Sequence, residues 1–210
     1  MMLLTEKELP KTVWLGNIEY PINTDFRDSI KFELLMEADE VPEDEKWIEA
    51  LKIYFGDVPW DVQTATEAII SFYCCGKTEE EIREQNRKMG ASTQKQVYSF
   101  KHDSDLIYAA FLDQYGIDLN KTKYLHWWAF RSMFNGLRDD MRITKIIGYR
   151  SADEEKWMSE EQKKEIRRLH KIWDLPRNKH LTEREDTIAD ILMNGGDIDA
   201  YLGIKRSGKN

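Results

Sequence analysis

The side chains able to do chemistry are scattered along this chain. Four histidines, His102, His126, His170 and His180, could bind a metal or move protons. None stands at metal-ligand spacing from another or from an acid, and no HExxH run is present. Cys74 and Cys75 are adjacent, so they form neither a CxxC pair nor a disulfide framework. Two small apolar helix residues in a reducing compartment account for them. A GxSxG elbow and the glycine loops GxGxxG and GxxxxGKS/T, which would present a nucleophile or cradle phosphate, are absent. Acids abound, but Asp39-Glu40, Glu43-Asp44-Glu45 and Glu79-Glu80-Glu81 have the pattern of solvated helix ends. Asp118, between Ile117 and Leu119 and just after Gly116, is the one acid in an apolar setting. Capping the next helix or accepting a buried hydrogen bond would suit it. His126 adjoins Trp127 and Trp128 and is expected to be a satisfied structural histidine. The sequence therefore predicts no catalytic residue, no metal site and no cofactor, and the chain is expected not to be an enzyme.

The elements that would carry these residues are mostly helical. Residues 12–22 alternate about Gly16-Asn17, with Val13, Trp14 and Leu15 before the turn and Ile18, Tyr20 and Ile22 after it. This predicts a short β-hairpin with Pro21 near its end. Thr24 or Asp25 can cap a helix carrying Phe26, Ile30, Leu34 and Leu35 to about Glu37. A second helix opens at Pro42, with acids in its first turn, and shows Trp47, Ile48, Leu51, Tyr54 and Phe55 before Gly56. A third, from about Asp61 to Cys75, presents Val62, Ala65, Ile69, Phe72 and Tyr73. These elements make a first unit over residues 1–76.

Residues 77–100 turn polar and are expected to link two helical halves. Within them Thr78 with Glu81 suggests a capping box for a short helix over 79–89, and Gly90–Gln94 a loop. The second half, 101–150, opens at Asp103-Ser104-Asp105. Tyr108, Phe111, Leu112 and Tyr115 follow at helical spacing, and Gly116 stops that helix. The next helix is expected from about Thr122 to Leu137, with Trp127, Phe130, Met133, Phe134 and Leu137 on one face and Tyr124, Leu125 and Trp128 on the other. Such a helix is either central in the core or shared with a partner. At most one of Trp127 and Trp128 is expected to commit to the core, which makes Trp127, Trp128, Tyr124 and Leu125 the candidate partner-binding residues. Asp139-Asp140 then starts a helix through Tyr149. Residues 151–210 form a charged helical extension with boxes at Ser151/Glu154, Ser159/Gln162 and Thr182/Glu185. Its stripes are Ile166, Leu169, Ile172 and Trp173 before Pro176, then Ile188, Ile191 and Leu192 before Gly195-Gly196. The expected fold is mainly α: a helical bundle of two halves, with an N-terminal hairpin and this extension.

Charge narrows the function. Over 210 residues the net charge is −8. Residues 1–56 carry 6 basic and 13 acidic side chains, while residues 101–150 carry 8 and 6. The acidic half would repel nucleic acid, and the aromatic residues keep helical core spacing instead of interleaving with Lys and Arg. No apolar run reaches membrane-spanning length, and the start lacks a secretory signal pattern, so neither nucleic acid nor membrane is an expected partner.

The run Tyr98–Arg150 contains Tyr115-Gly116-Ile117-Asp118-Leu119, then His126-Trp127-Trp128, Gly136-Leu137 and Tyr149-Arg150. With the opening Tyr20-Pro21-Ile22-Asn23-Thr24-Asp25-Phe26-Arg27, it resembles the gene-product-fifteen family of tailed phages of Gram-positive hosts, over roughly residues 1–150. That family is encoded in the tail-morphogenesis region, just before the tape-measure protein. Tyr115, Gly116, Asp118, Leu119 and His126 are the structural motif of the resemblance. It implies a tail assembly chaperone in the cytoplasm of the bacterial host, holding the tape-measure protein soluble and meeting other tail proteins, with possible self-association. A structural tail or head–tail connector component is the alternative, and an enzyme of unknown class the second.

Overall fold

A computed structural model describes residues 8–78, 80–81 and 96–176. The chain forms the hairpin β1 (Thr12–Leu15) and β2 (Ile18–Pro21), then α1 (Phe26–Met36), α2 (Glu43–Phe55) and α3 (Val62–Tyr73). After the segment not described come α4 (Ser104–Tyr115), α5 (Trp127–Asn135), α6 (Arg142–Ser151) and α7 (Glu160–Trp173). The fold is mainly helical, with the expected N-terminal hairpin.

The strands pair antiparallel, with Leu15 opposite Ile18 and Thr12 opposite Pro21. Gly16 supplies the positive φ, +61°, that a two-residue turn requires. Leu15 is buried on the inner face, where the Tyr20 ring also meets Phe55 edge-on at 6.4 Å, while Trp14 points outward. Asp25 caps α1 by accepting from Arg27 N–H at 3.0 Å, and Asp61 caps α3 by accepting from Thr64 N–H at 3.1 Å. Ser159 and Gln162 close a reciprocal box on α7. The Thr78–Glu81 box is also formed, through Thr78 N–H to Glu81 Oε2 and Glu81 N–H to Thr78 Oγ1.

The buried faces differ in places from the sequence stripes. On α2, Ile48 is exposed while Lys46 is buried, because the Lys46 ammonium donates to the free carbonyl of Met36 at the end of α1 (3.0 Å). On α3, Val62 is exposed, and on α4 so is Leu112, where Ile107 and Ala110 turn inward with Phe111. On α1, Phe32 and Met36 are more deeply buried than Leu34 and Leu35. The expected helix from Thr122 starts only at Trp127, since the residues before it are extended and bonded across to residues 24–26. Helix α6 starts at Arg142, not Asp139. Ser151 ends that helix by donating back to Ile147 O at 2.8 Å, so it opens no capping box with Glu154. The expected helix over 79–89 (beyond 80–81), the loop at 90–94 and the last amphipathic helix lie outside the described residues.

One aromatic cluster joins the elements. Phe130 of α5 is wholly buried between Phe26 of α1 and Phe111 of α4, each stacked on it at 4.9 Å. Tyr98 and Phe100, assigned from sequence to the polar linker, pack into the same cluster against Phe134 at 5.0 and 6.3 Å. Burying a ring of this size stabilises a fold by roughly 1.5–3 kcal/mol. A centre shared by α1, α4 and α5 therefore holds sequence-distant elements in one register.

Candidate interaction surface

The segments that carry the sequence motif meet each other in space. Phe26 N–H donates to Leu125 O (2.9 Å), Trp127 N–H donates to Thr24 O (2.8 Å), and Asp25 pairs with His126 as an isolated antiparallel bridge. Asp25 Oδ2 accepts from Leu125 N–H at 3.2 Å, and Arg27 donates to the carbonyls of Leu119 and Thr122 at 2.8 and 2.6 Å. This junction commits the backbone of 124–126 to an extended form, which delays α5. His126 then caps α5, with Nδ1 accepting from Trp128 N–H at 3.0 Å and Nε2–H donating to Pro10 O at 2.8 Å. Those two bonds require the neutral ring, and burial holds the His126 pKa below its ordinary value.

Trp127 and Trp128, expected to divide between core and partner, are both buried. Their indole N–H groups donate to Tyr73 O and Phe72 O, each at 2.8 Å. Helix α3 ends there, and its last carbonyls hold both indoles inward, with Phe72 O accepting from Cys75 N–H (2.9 Å) as well. Tyr124 is exposed, with its hydroxyl 2.7 Å from Thr24 Oγ1, and Leu125 is half-buried. The four candidates thus form no common exposed face. Of the motif residues, Tyr115 donates to Met133 O at 2.9 Å and Gly116 turns left-handed at φ +66°. Leu119 is buried. Asp118 Oδ1 accepts from the Asn120 and Lys121 N–H groups at 3.1 and 3.2 Å, forming a turn before the extended segment rather than a helix cap.

Sequence reasoning missed two buried polar sites. In the first, Arg150 of α6 meets Asp103 with Nη1 to Oδ2 at 2.6 Å and Nη2 to Oδ1 at 3.0 Å. Arg150 also donates to Val97 O (3.1 Å) and Trp173 O (2.6 Å), tying the end of α7 to the body. In the second, Glu33 of α1 accepts from the Tyr73 hydroxyl through Oε2, while Oε1 has no hydrogen-bond partner among the described residues. Burial raises the Glu33 pKa from 4.5 to about 7, against the opposing pull of the Tyr73 hydrogen bond and of Arg131. Burial likewise raises the Cys75 thiol, which disfavours a thiolate nucleophile. Among the described residues, no three His, Cys, Asp or Glu side chains are grouped to hold a metal, and no helix is long and apolar enough to cross a membrane. The signal for these sites was faint: a lone acid or arginine within a helical stripe.

The exposed apolar side chains are the other feature that bears on function. Trp14, Trp60 and Trp157 are 64%, 73% and 75% exposed. Trp14 stands beside a groove of about 390 Å³ between β1 and α3. A family model described as bacteriophage Gp15 protein matches residues 5–175. The chain belongs to this bacteriophage family. The Gp15 match runs past residue 150, where the motifs visible in the sequence stop, and takes in α7 with the Arg150–Trp173 link. No curated protein and no solved structure matches the chain.

Proposed function

We propose that this Gp15-family protein is a phage tail assembly chaperone that binds the tape-measure protein, the tail-tube protein or both during tail morphogenesis in the host cytoplasm. The observation that carries the reading is the family match over residues 5–175. Two physical features support it. Large indoles lie at the surface at Trp14, Trp60 and Trp157, where a partner could cover them. The net charge of −8 would keep complexes with an aggregation-prone partner apart.

Co-expression with the tape-measure protein of the same genome, followed by size-exclusion chromatography, tests the reading. Co-elution, with the tape measure insoluble when made alone, is the expected result. A tape measure equally soluble alone, with no co-elution, would overturn it. Immunoblotting of purified particles separates the rival role of tail or connector component, which requires stoichiometric retention in the virion.

A further inference from the structure

Among the described residues no third strand pairs with the outer edge of β1, and that edge and one face of α3 bound a common groove. In a hairpin with a two-residue turn, the closing pair Leu15–Ile18 is hydrogen-bonded and the pairs alternate from there. Val13–Tyr20 is therefore bonded, and Trp14–Glu19 and Thr12–Pro21 are not. Ile22 N–H donates to Lys11 O at 3.1 Å, as that alternation requires. Thr12 and Trp14 consequently direct their backbone N–H and C=O away from β2, toward the edge that lines the groove. Opposite them stand Thr64, Glu67, Ala68 and Ser71 of α3, spaced i, i+3, i+4 and i+7 on one helical face. All but Glu67 are small, which leaves the space open. Phe72 and Trp128 also line it, and both are buried among their neighbours.

Charge selects the occupant. Among the described residues, Glu67 is the one ionisable side chain lining the groove, and the hydrogen bond its carboxylate makes is a long one of 3.5 Å from Gln63. A second copy of this chain is a poor occupant, since the region of the groove lies in a strongly acidic half. We propose that the groove takes an extended segment of another protein as a third strand on β1, with a Lys or Arg of that segment reaching Glu67. Main-chain bonds to Thr12 and Trp14 would supply register, and the small face of α3 would admit alternate side chains. This deepens the reading of the protein as a binder of other phage proteins and rests on it.

The site can be tested without knowing the natural partner. Immobilised full-length protein is panned against a pooled library of eight-residue peptides alternating Thr and Val, with Lys, Arg, Asp or Glu at the centre. Enrichment of Lys and Arg peptides is expected, with protection of the Thr12 and Trp14 amides from hydrogen exchange when an enriched peptide is bound. Ser71→Trp, at an exposed position on the groove wall, should abolish enrichment at unchanged melting temperature. Glu67→Lys should reverse the preference to Asp and Glu, a change of at least about tenfold in relative affinity. No enrichment by the wild type, or enrichment unchanged in both variants, overturns the groove. Co-elution of the tape measure with the Ser71→Trp protein would overturn the groove as its site while leaving the chaperone reading standing. Failure of the wild type to co-elute, with the peptide result intact, would overturn only the chaperone reading.

Discussion

Where α4 meets α6, Asp103 and Arg150 are 3% and 4% exposed and are joined by two hydrogen bonds, whereas between α1 and α3 one carboxylate oxygen of the equally buried Glu33 has no partner among the described residues. Both regions bury charge, yet only the first completes it. Asp103 Oδ2 also accepts from Ser99 N–H at 2.9 Å, and Arg150 donates as well to Val97 O and Trp173 O. Near Glu33 the cation is Arg131, but its Nη1 donates to the Tyr98 hydroxyl at 2.6 Å and its guanidinium lies 5.4 Å from the Trp127 ring centre. Proximity of an opposite charge is thus not enough. A buried carboxylate stays ionised at little cost only when its oxygens have directed partners. The first region works as a fastener between 97–103, α6 and α7, and the second ties stability to pH.

Breaking the fastener should have the largest effect. Arg150→Ala leaves Asp103 buried without its counter-ion and should destabilise the fold by about 3–5 kcal/mol in urea denaturation at pH 7. It should also raise hydrogen exchange across α7, because the bond to Trp173 O goes with it. A loss under about 1 kcal/mol would mean that the pair adds little beyond what surface ion pairs do.

Glu33→Gln sharpens the contrast from the other side. The Glu33 pKa is higher folded, about 7, than its ordinary 4.5. Wild-type stability contributed by this group is therefore greatest below pH 4.5, falls as pH rises to 7, and is level above that. The amide should stabilise the protein by about 3 kcal/mol above pH 7, with the gain closing toward pH 4.5. Stability curves that stay parallel from pH 4.5 to 8 would refute the assignment.

Tyr73→Phe should cost about 1–3 kcal/mol, since it removes the hydrogen bond that Tyr73 gives the Glu33 carboxyl. It should also carry the decline in stability beyond pH 7, read by thermal melts in steps of half a pH unit. His126→Ala supplies the control and the smallest effect, a loss of about 1 kcal/mol at pH 8 for the missing cap. Its pH dependence has the opposite sign to that of Glu33. The folded pKa is depressed, so the wild type loses the His126 contribution as pH falls through 6.5, and the gap to the alanine variant should narrow there. A gap that widens on acidification would overturn the neutral ring assigned from its two bonds.

Several elements could be read from the chain before folding. The Gly16-Asn17 turn, the Asp25 cap, the start of α3 near Asp61, the stops at Gly56 and Gly116 and the Ser159 box all lie where local chemistry puts them. The motif segments around Asp25 and His126 were visible as motifs, but their pairing was not, because it joins residues about 100 apart in sequence. Separations of 54 and 56 residues from Tyr73 and Phe72 hid the fate of Trp127 and Trp128. Helical spacing placed the two indoles on different sides of one helix, and nothing local said that the carbonyls ending α3 would accept from both.

By itself, then, the sequence determined the class of fold, most helix ends, the hairpin and the family, because turns, caps and periodic stripes act over a few residues. Tertiary structure alone decided which carboxylate is paired and which is not, where α5 begins, and that the outward edge of β1 faces a small-residue face of α3. Those outcomes depend on which distant donors, acceptors and rings arrive at the same place, and spacing along the chain carries no record of that.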